Sequence, residues 1–268
     1  MRWKKRKKRL QILKWKRVSM DLSKITTSNG RAIYLAYDQG MEHGPTDFND
    51  ENVDPEEILQ IAKDGGVNAI ILQKGIAEKY YTDEFKSIPL ILKLNGKTNL
   101  IANKDPYSPQ ICSVEEAIDL GALAVGYTIY VGSSYEPVMF SEFSKIEKEA
   151  HEYKMPVIGW MYLRGSGLVN KDEKDLSAYA TRLGLELGAD MVKIKYPGDL
   201  PSLSWAVESA GLTKVVVSGG EKKSEDEFLE IAKTVMKSGA IGLAVGRNIW
   251  QSKNPLVILD KLKAIVYK

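Results

Sequence analysis

Eight short and nearly continuous apolar segments recur along the chain at intervals of roughly 25 to 35 residues, with helical patterns between them. Apolar runs of this kind are typical of parallel strands that are covered on both faces. The predicted strands cover residues 32–37, 69–72, 89–93, 122–126, 156–160, 191–195, 214–218 and 241–245. The chain has 268 residues, and one eight-stranded α/β barrel typically needs about 250, so a single large domain is expected.

The segments between the strands carry helix signals. The predicted helices cover residues 55–63, 113–120, 137–153, 176–187, 202–210, 224–238 and 255–267, with a weaker pattern at residues 76–81. Ser113 with Glu116 and Ser224 with Glu227 show the Ser-x-x-Glu spacing of a capping box. Residues 94–112 lack periodicity, which predicts a long loop at the rim of an active site.

Eight parallel units are compatible with an open doubly wound sheet as well as with a barrel. Polar side chains at the carboxyl ends of the predicted strands favour the barrel, because those ends meet on one face, where barrel active sites lie. They are Asp38, Gln73, Lys74, Tyr162, Arg164, Ser218 and Arg247. We therefore predict an α/β fold with a single (β/α)8 TIM barrel over residues 20–268.

The charge of the chain is unevenly distributed. Residues 1–17 contain ten Lys or Arg and no Asp or Glu, which leaves 28 basic and 35 acidic residues elsewhere. Such a segment can bind nucleic acid or an anionic surface; the alternatives are a disordered tail or sequence that precedes a true start at Met20. We interpret residues 1–19 as a basic extension outside the barrel, and we expect no nucleic-acid binding by the barrel itself.

Cysteine content and hydropathy restrict the class of protein further. The single Cys112 excludes an internal disulfide, and with two histidines it offers no cluster for a structural zinc ion. No apolar run approaches the roughly 20 residues of a membrane-spanning helix. We expect a cytoplasmic protein with no membrane partner.

Two lysines in the sixth predicted strand give the strongest chemical signal. Strand alternation places Lys193 and Lys195 on one face, and Val192 and Ile194 on the face that contacts the helices. Both lysines are therefore predicted to point into the barrel, where burial and mutual repulsion lower the pKa of an amine. A neutral amine condenses with a ketone to an iminium, an electron sink that allows a carbon–carbon bond to break.

Lys193 precedes Lys195 on the way to the carboxyl end, so it lies deeper and loses more hydration. We assign the Schiff base to Lys193 and electrostatic support or a substrate contact to Lys195. The alternatives are an edge strand whose lysines reach water, or two lysines that only bind phosphate.

Aldol chemistry also needs proton transfer, for which Asp38 and Tyr162 at strand ends are candidates. An aspartate there can instead cap a turn, and a tyrosine can simply stack. Asp38, Glu42 and His43 together raise the possibility of a metal site, but no second histidine is close in sequence and a Schiff base needs no metal. We expect no metal and no cofactor beyond the covalent iminium on Lys193, with His43 contacting substrate from its loop.

The loops after the seventh and eighth strands contain residue types that bind phosphate in many barrels. They are Ser218, Gly219, Gly220, Gly246 and Arg247. Arg164 is a candidate for a second anion site, with a solvated loop arginine as the alternative. Two such regions predict a phosphorylated substrate.

Four motifs are specific in combination although each alone is weak. They are AYDQGMEHGP at residues 36–45, GIAEKYY at 75–81, KIKY at 193–196 and AVGRN at 244–248. Together they resemble the archaeal-type class I fructose-bisphosphate aldolases, from about Ile33 to the C-terminus. The sequence departs from the family pattern at two positions. Gln39 stands where the family often has histidine, and Tyr162 is not followed by the proline that is frequent in the family.

The resemblance implies a TIM-barrel Schiff-base lyase that assembles as a homo-oligomer of the octamer or decamer type. It places the Schiff base on Lys193, an acid–base role on Tyr162 and a catalytic aspartate at Asp38, with Trp160 in the substrate site. The phosphate contacts it implies are Ser218, Gly219, Gly246 and Arg247 at one end of a sugar and Arg164 at the other.

The expected reaction is reversible cleavage of fructose 1,6-bisphosphate to dihydroxyacetone phosphate and glyceraldehyde 3-phosphate. A related alternative is a transaldolase-type 6-deoxy-5-ketofructose 1-phosphate synthase or 2-amino-3,7-dideoxy-heptulosonate synthase of archaeal aromatic amino-acid biosynthesis. A phosphate-binding barrel isomerase without a covalent step and a nucleic-acid-binding protein that acts through the basic extension are more distant alternatives.

Overall fold

The computed structural model describes residues 20–101 and 103–268, without the side chains of residues 173 and 174. Eight parallel strands form a closed barrel in chain order, with β8 paired to β1. The strands are β1 Ala32–Tyr37, β2 Ala69–Gln73, β3 Leu90–Lys93, β4 Ala124–Val131, β5 Val157–Leu163, β6 Met191–Ile194, β7 Lys214–Ser218 and β8 Gly242–Val245. The predicted TIM barrel is confirmed, and the open doubly wound alternative is wrong.

Helices connect the strands where the sequence patterns predict them, and two short helices that were not predicted follow β1 and β8. They are α1 Gly40–His43, α2 Pro55–Asp64, α3 Lys74–Tyr80, α4 Val114–Asp119, α5 Glu136–Glu152, α6 Glu173–Glu186, α7 Leu200–Ser209, α8 Glu225–Lys237, α9 Arg247–Trp250 and α10 Pro255–Val266. The weak helix pattern before Tyr81 corresponds to α3. The basic extension predicted for residues 1–19 lies outside the described residues.

Strand alternation separates the side chains into an inner and an outer set. Tyr34, Ile158 and Met191 belong to the cluster inside the barrel, and Ile25 from the segment before β1 packs against it. The outward residues pack against the helices in a second and larger cluster. Both faces of the sheet are therefore buried, which explains why the strands appear in the sequence as continuous apolar runs.

β4 and β5 extend further than the sequence patterns predict. They pair from Val125 opposite Val157 to Val131 opposite Leu163. The added residues of β4 are all aromatic or β-branched, which suits a strand, and they are buried on both faces. As a result Tyr130 and Tyr162 lie within strands, which fixes their direction, instead of in loops.

The two predicted capping boxes differ. At α4 the box is complete: Ser113 Oγ accepts from Glu116 N at 3.1 Å, and Glu116 Oε2 accepts from Ser113 N at 2.8 Å. At α8 Ser224 Oγ accepts from Glu227 N at 3.3 Å, but the Glu227 carboxylate pairs with Lys223. Lys223 thus binds the Glu227 carboxylate, which in a complete capping box would accept from the backbone amide of Ser224.

The described residues of the segment 94–112 are irregular, as predicted, and include an antiparallel bridge between Asn95 and Gln110. In the part of the chain that the structure describes, no helix combines the length and apolar character needed to cross a membrane.

Candidate active site

Lys193 is the third residue of β6 and lies inside the barrel with 4% of its surface exposed. Its Nζ lies 5.0 Å from the centroid of the Trp160 ring. Burial lowers the pKa of Lys193 to about 8; the charge of Asp38 opposes this shift and that of Lys93 adds to it. An appreciable fraction of this amine is therefore neutral near neutral pH and able to attack a carbonyl carbon.

Asp38 follows β1 and forms a buried ion pair with Lys93, the last residue of β3. Lys93 Nζ lies 3.3 Å from Asp38 Oδ2, and each side chain is 7% exposed. Burial acts to raise the pKa of Asp38, but the charges of Lys93 and Lys193 outweigh it and hold the pKa below its ordinary value. The carboxylate is thus ionised, and Lys93 balances its charge when Lys193 is neutral.

Trp160 and Tyr162 both point inward from β5, because they alternate with the outward Met161. The Trp160 ring occupies the space that a side chain at Gly126 would fill, since a Cβ there would lie 1.8 Å from the ring. Loss of hydration and the charges of Asp38 and Glu42 raise the pKa of Tyr162 well above its ordinary value. Its phenol therefore holds a proton that it can donate.

Lys195 does not share the interior with Lys193. β6 ends at Ile194, and Lys195 is exposed and lines a cavity with Ile194 and Met161, which face the helices. The expected inward direction of Lys195 is therefore wrong, because the extended backbone that strand alternation requires ends one residue before it. The structure gives no support to a substrate contact by this side chain.

The glycine loops after β7 and β8 are joined by the buried side chain of Asn248. Its Nδ2 donates to Gly219 O at 2.8 Å and to Glu221 O at 3.0 Å, and its Oδ1 accepts from Lys223 N at 2.9 Å. The two loops therefore form one rigid edge of the barrel mouth. Asn248 belongs to the AVGRN motif, but its role in joining the two loops was not predicted, because the residues it contacts are distant in sequence.

The backbone amide of Gly219 donates to Ala244 O at 2.9 Å. This donor extends the β7–β8 ladder and is not available to a ligand. Ser218, which ends β7, and Gly220, with φ of 71°, lie on either side of it. Gly246 precedes α9 at the end of β8. The predicted phosphate-binding residues thus lie together, but the amide of Gly219 is used in the hydrogen bonding of the sheet.

Arg247 begins α9 and faces the same edge. Its Nη2 donates to Gly220 O at 3.2 Å, and its Nη1 lies 3.7 Å from Asp47 Oδ1. Asp47 also lies 2.5 Å from His43 Nδ1 through its Oδ2. His43, predicted to contact substrate, is therefore held by Asp47 at the rim. The long Arg247–Asp47 contact leaves guanidinium donors for an anion.

Arg164 follows β5, and its side chain, which is 38% exposed, is anchored at the mouth of the barrel. Its Nη1 lies 2.5 Å from Glu42 Oε1, and its guanidinium lies 5.7 Å from the centroid of the Tyr130 ring. A phosphate that binds here competes with Glu42 for the guanidinium.

Lys93 is the central site residue that the sequence analysis missed. Residues 90–93 read Leu-Ile-Leu-Lys, so the alternation argument used for Lys193 also places Lys93 on the inner face, with Ile91. The signal was present, but a single lysine at the end of a strand resembles an ordinary solvated terminus.

Comparison with known proteins agrees with this geometry. The model of the DeoC/LacD family of aldolases matches residues 32–252. A class 1 fructose-bisphosphate aldolase of Thermoproteus tenax is 50% identical over 247 residues, which cover 91% of this chain and 92% of the relative. A fructose-bisphosphate aldolase/6-deoxy-5-ketofructose 1-phosphate synthase of Methanocaldococcus jannaschii is 39% identical over 85% of this chain and 78% of the relative.

A solved archaeal fructose-1,6-bisphosphate aldolase, with its catalytic lysine covalently bound to the carbinolamine intermediate of the substrate, is also similar. It is 48% identical, covers 92% of this chain and 98% of its own, and superposes with a TM-score of 0.87. The resemblance drawn from the four motifs is confirmed. The chain belongs to the DeoC/LacD family of aldolases, among the class I fructose-bisphosphate aldolases.

Proposed function

We propose that this protein cleaves fructose 1,6-bisphosphate reversibly to dihydroxyacetone phosphate and glyceraldehyde 3-phosphate through a Schiff base on Lys193. The observation that carries the proposal is a buried amine, with a pKa lowered to about 8, at the carboxyl end of a closed barrel of this family. Family membership disfavours the isomerase alternative, which has no covalent step.

In the proposed reaction, neutral Lys193 Nζ attacks the ketone carbon of the open-chain sugar and forms a carbinolamine. The phenol of Tyr162 donates its proton to the carbinolamine hydroxyl, which leaves as water, and the carboxylate of Asp38 stabilises the iminium. The phenolate of Tyr162 then takes the proton of the C4 hydroxyl. The C3–C4 bond breaks, its electrons enter the iminium to give an enamine, and glyceraldehyde 3-phosphate is released.

The return steps use the same groups in reverse. Tyr162 protonates the enamine carbon, which restores an iminium, and then accepts a proton from the water that attacks it. Hydrolysis frees dihydroxyacetone phosphate and regenerates the amine. Trp160, whose ring faces the Lys193 amine, limits the access of water and orients the amine towards the substrate.

The two phosphates are assigned to opposite sides of the mouth. Ser218, Gly220, Gly246 and Arg247 would hold one phosphate on the edge that Asn248 braces, with Gly219 supplying backbone shape instead of a donor. Arg164 would hold the other after Glu42 moves aside. His43 lies on the rim beside Asp47, within the reach of a substrate that spans the mouth.

A second candidate uses the same site. The Methanocaldococcus jannaschii relative is named for both aldolase and 6-deoxy-5-ketofructose 1-phosphate synthase activity, so we retain this synthase as the alternative acceptor chemistry. We expect no metal requirement, a homo-oligomer and a cytoplasmic location; residues 1–19 are expected to be dispensable for turnover.

Borohydride trapping tests the covalent step. Incubation with dihydroxyacetone phosphate and borohydride should add the mass of the reduced adduct to the peptide that contains Lys193. Lys193→Met should give no adduct and no sugar cleavage. Wild-type protein that forms no adduct, or whose activity is lost on treatment with chelators, would contradict the proposal.

A further inference from the structure

Four buried polar side-chain atoms have no hydrogen-bond partner among the described residues: Gln39 Nε2, Gln73 Oε1, Thr128 Oγ1 and Trp160 Nε1. The two oxygens of this set belong to Gln73 and Thr128, whose side chains lie inside the barrel. Gln73 is 7% exposed and Thr128 is 1% exposed. An unpaired buried polar atom is destabilising, so two such oxygens inside the barrel of a candidate active site indicate that a ligand completes their hydrogen bonds.

Strand register places both side chains on the inner face of the barrel. Gln73 ends β2 and is the register partner of Lys93 on β3. Thr128 on β4 is the register partner of Trp160, which is in turn the partner of Lys193. Register partners in a parallel sheet point to the same face, so both side chains share the interior with Lys193.

The fold fixes the direction of both groups through Asn95, which is fully buried. Asn95 O accepts from Gln73 Nε2 at 3.1 Å, so the amide nitrogen of Gln73 is committed and its oxygen faces away from Asn95. Asn95 also holds the backbone of Thr128 on both sides: Oδ1 accepts from Thr128 N at 2.8 Å, and Nδ2 donates to Thr128 O at 2.9 Å. The two unpartnered atoms are therefore preorganised.

The chemistry of these atoms indicates the kind of group they bind. The carbonyl oxygen of Gln73 only accepts a hydrogen bond, whereas the hydroxyl of Thr128 donates and accepts. Neither carries a charge, and the neighbouring charges of Lys93 and Asp38 already neutralise each other. A neutral group that both donates and accepts, such as an alcohol, satisfies both atoms.

We propose that Gln73 and Thr128 bind hydroxyl groups of the sugar phosphate held on Lys193, and so select hydroxylated substrates over their deoxy analogues. This inference rests on the proposed aldolase function. Glyceraldehyde 3-phosphate and dihydroxyacetone phosphate each bring one hydroxyl close to the new bond. A substrate that lacks the matching hydroxyl leaves a buried atom unpaired, which disfavours its reaction.

Thr128→Val is the sharpest variant, because it removes the hydroxyl and keeps the shape, and Thr128→Ser is its matched control. Gln73→Met removes the acceptor on β2 together with the hydrogen bond from Gln73 Nε2 to Asn95 O, so its unfolding temperature is compared with that of the wild type. Condensation is measured with three pairs: the two natural substrates, the natural donor with the 2-deoxy analogue of glyceraldehyde 3-phosphate, and hydroxyacetone phosphate with the natural acceptor. Thermal unfolding and borohydride trapping with dihydroxyacetone phosphate accompany each variant.

Thr128→Val and Gln73→Met should each lower kcat/KM for the natural pair by about 10- to 100-fold. For one of the two deoxy pairs, each variant should lower kcat/KM by less than about threefold relative to wild type. The deoxy substrate already lacks the hydroxyl that the substituted side chain would bind, so the substitution removes no further contact. Thr128→Ser should stay within about threefold of wild type for every pair. Equal losses for all three pairs, or no loss for the natural pair, would overturn the inference.

The trapping measurement separates this inference from the proposed function. Adduct formation on Lys193 in all variants, with no difference between hydroxylated and deoxy substrates, contradicts only the role of Gln73 and Thr128. No adduct in the wild-type protein contradicts the aldolase function itself.

Discussion

Lys93 Nζ and Asp38 Oδ2 lie 3.3 Å apart inside the barrel, with each side chain 7% exposed. This pair joins the carboxyl end of β1 to that of β3 and sets the charge around Lys193. Because Lys93 offsets Asp38, the third charged group of the interior can give up its proton without leaving a net charge in a poorly hydrated site. The ion pair thus supports the neutral state of the proposed nucleophile.

Lys93→Met should raise the pKa of Lys193, because it removes a repelling cation and leaves Asp38 free to stabilise the protonated amine. The acid limb of the pH profile of kcat/KM should move to higher pH. Stability should fall by on the order of 3 kcal/mol, since a buried carboxylate loses its partner. Lys93→Arg, which keeps the charge, should leave the acid limb in place; an unchanged profile in Lys93→Met would contradict this role.

The pH dependence of the wild-type enzyme should reflect the same amine. Lys193 must be unprotonated to attack, so kcat/KM should rise about tenfold per pH unit below a pKa of about 8 and level off above it. Tyr162, with its pKa raised well above the ordinary value, should stay protonated across this range. Steady-state cleavage rates in overlapping buffers measure the profile; an acid limb near the ordinary lysine pKa would show that burial does not act as described.

Replacement of the two lysines of the Lys-Ile-Lys segment should have very different effects on the rate of cleavage. Lys193→Met should reduce cleavage by at least about 10⁴-fold, because the nucleophile is lost. Lys195→Met should stay within about twofold of wild type, since Lys195 lies on the outer side of the barrel. Parallel kinetics and adduct mapping compare them. A large loss of activity in Lys195→Met would show that this side chain reaches the site in the working enzyme.

Gly126→Ala should displace the Trp160 ring, because the added Cβ would lie 1.8 Å from a ring carbon. We expect a loss of about 1 to 3 kcal/mol in unfolding free energy from overpacking. Activity should fall at least about tenfold, because the ring that faces Lys193 moves. Gly75→Ala in α3 is the control: nothing lies within 4 Å of its Cβ, so stability should rise by about 0.5 to 1 kcal/mol.

An ion pair at the amino end of the barrel strands should make the stability of the protein depend on pH. His151 Nε2 lies 2.9 Å from Asp190 Oδ2, which also accepts from Val157 N at 2.9 Å. The hydrogen bond to Asp190 raises the pKa of His151 above its ordinary 6.5, against the opposing effect of burial and with help from the charges of Asp190 and Glu147. Protonated His151 therefore stabilises the folded state.

The sign of this response follows from proton linkage. A raised folded-state pKa gives a contribution that is complete below about pH 6.5 and is lost as the pH rises through the folded-state value. His151→Gln should therefore destabilise the protein at pH 6 by less than about 1 kcal/mol, because the group is partly exposed, and by less at pH 9. Urea unfolding at both pH values measures it; a larger effect at the higher pH would reverse the assignment.

The sequence by itself determined the barrel and its reactive strand. The spacing of eight apolar runs predicted the parallel units, and alternation within residues 191–195 placed Lys193 on the inner face, because both signals depend only on local backbone geometry. The motifs around Asp38 and Arg247 indicated the family through their resemblance to the class I fructose-bisphosphate aldolases. The order of the strands and helices along the chain, and the face of a strand on which a side chain lies, can be predicted from the sequence.

The tertiary structure alone decided which polar groups meet. Three contacts join residues that are distant in sequence. Lys93 pairs with Asp38, Asn248 holds the loops after β7 and β8 together, and the amide of Gly219 donates to Ala244 O. The outward position of Lys195 depends on where β6 ends, which is set by its neighbours. Such contacts follow from barrel closure and from the register between strands, which are set only when the sheet forms.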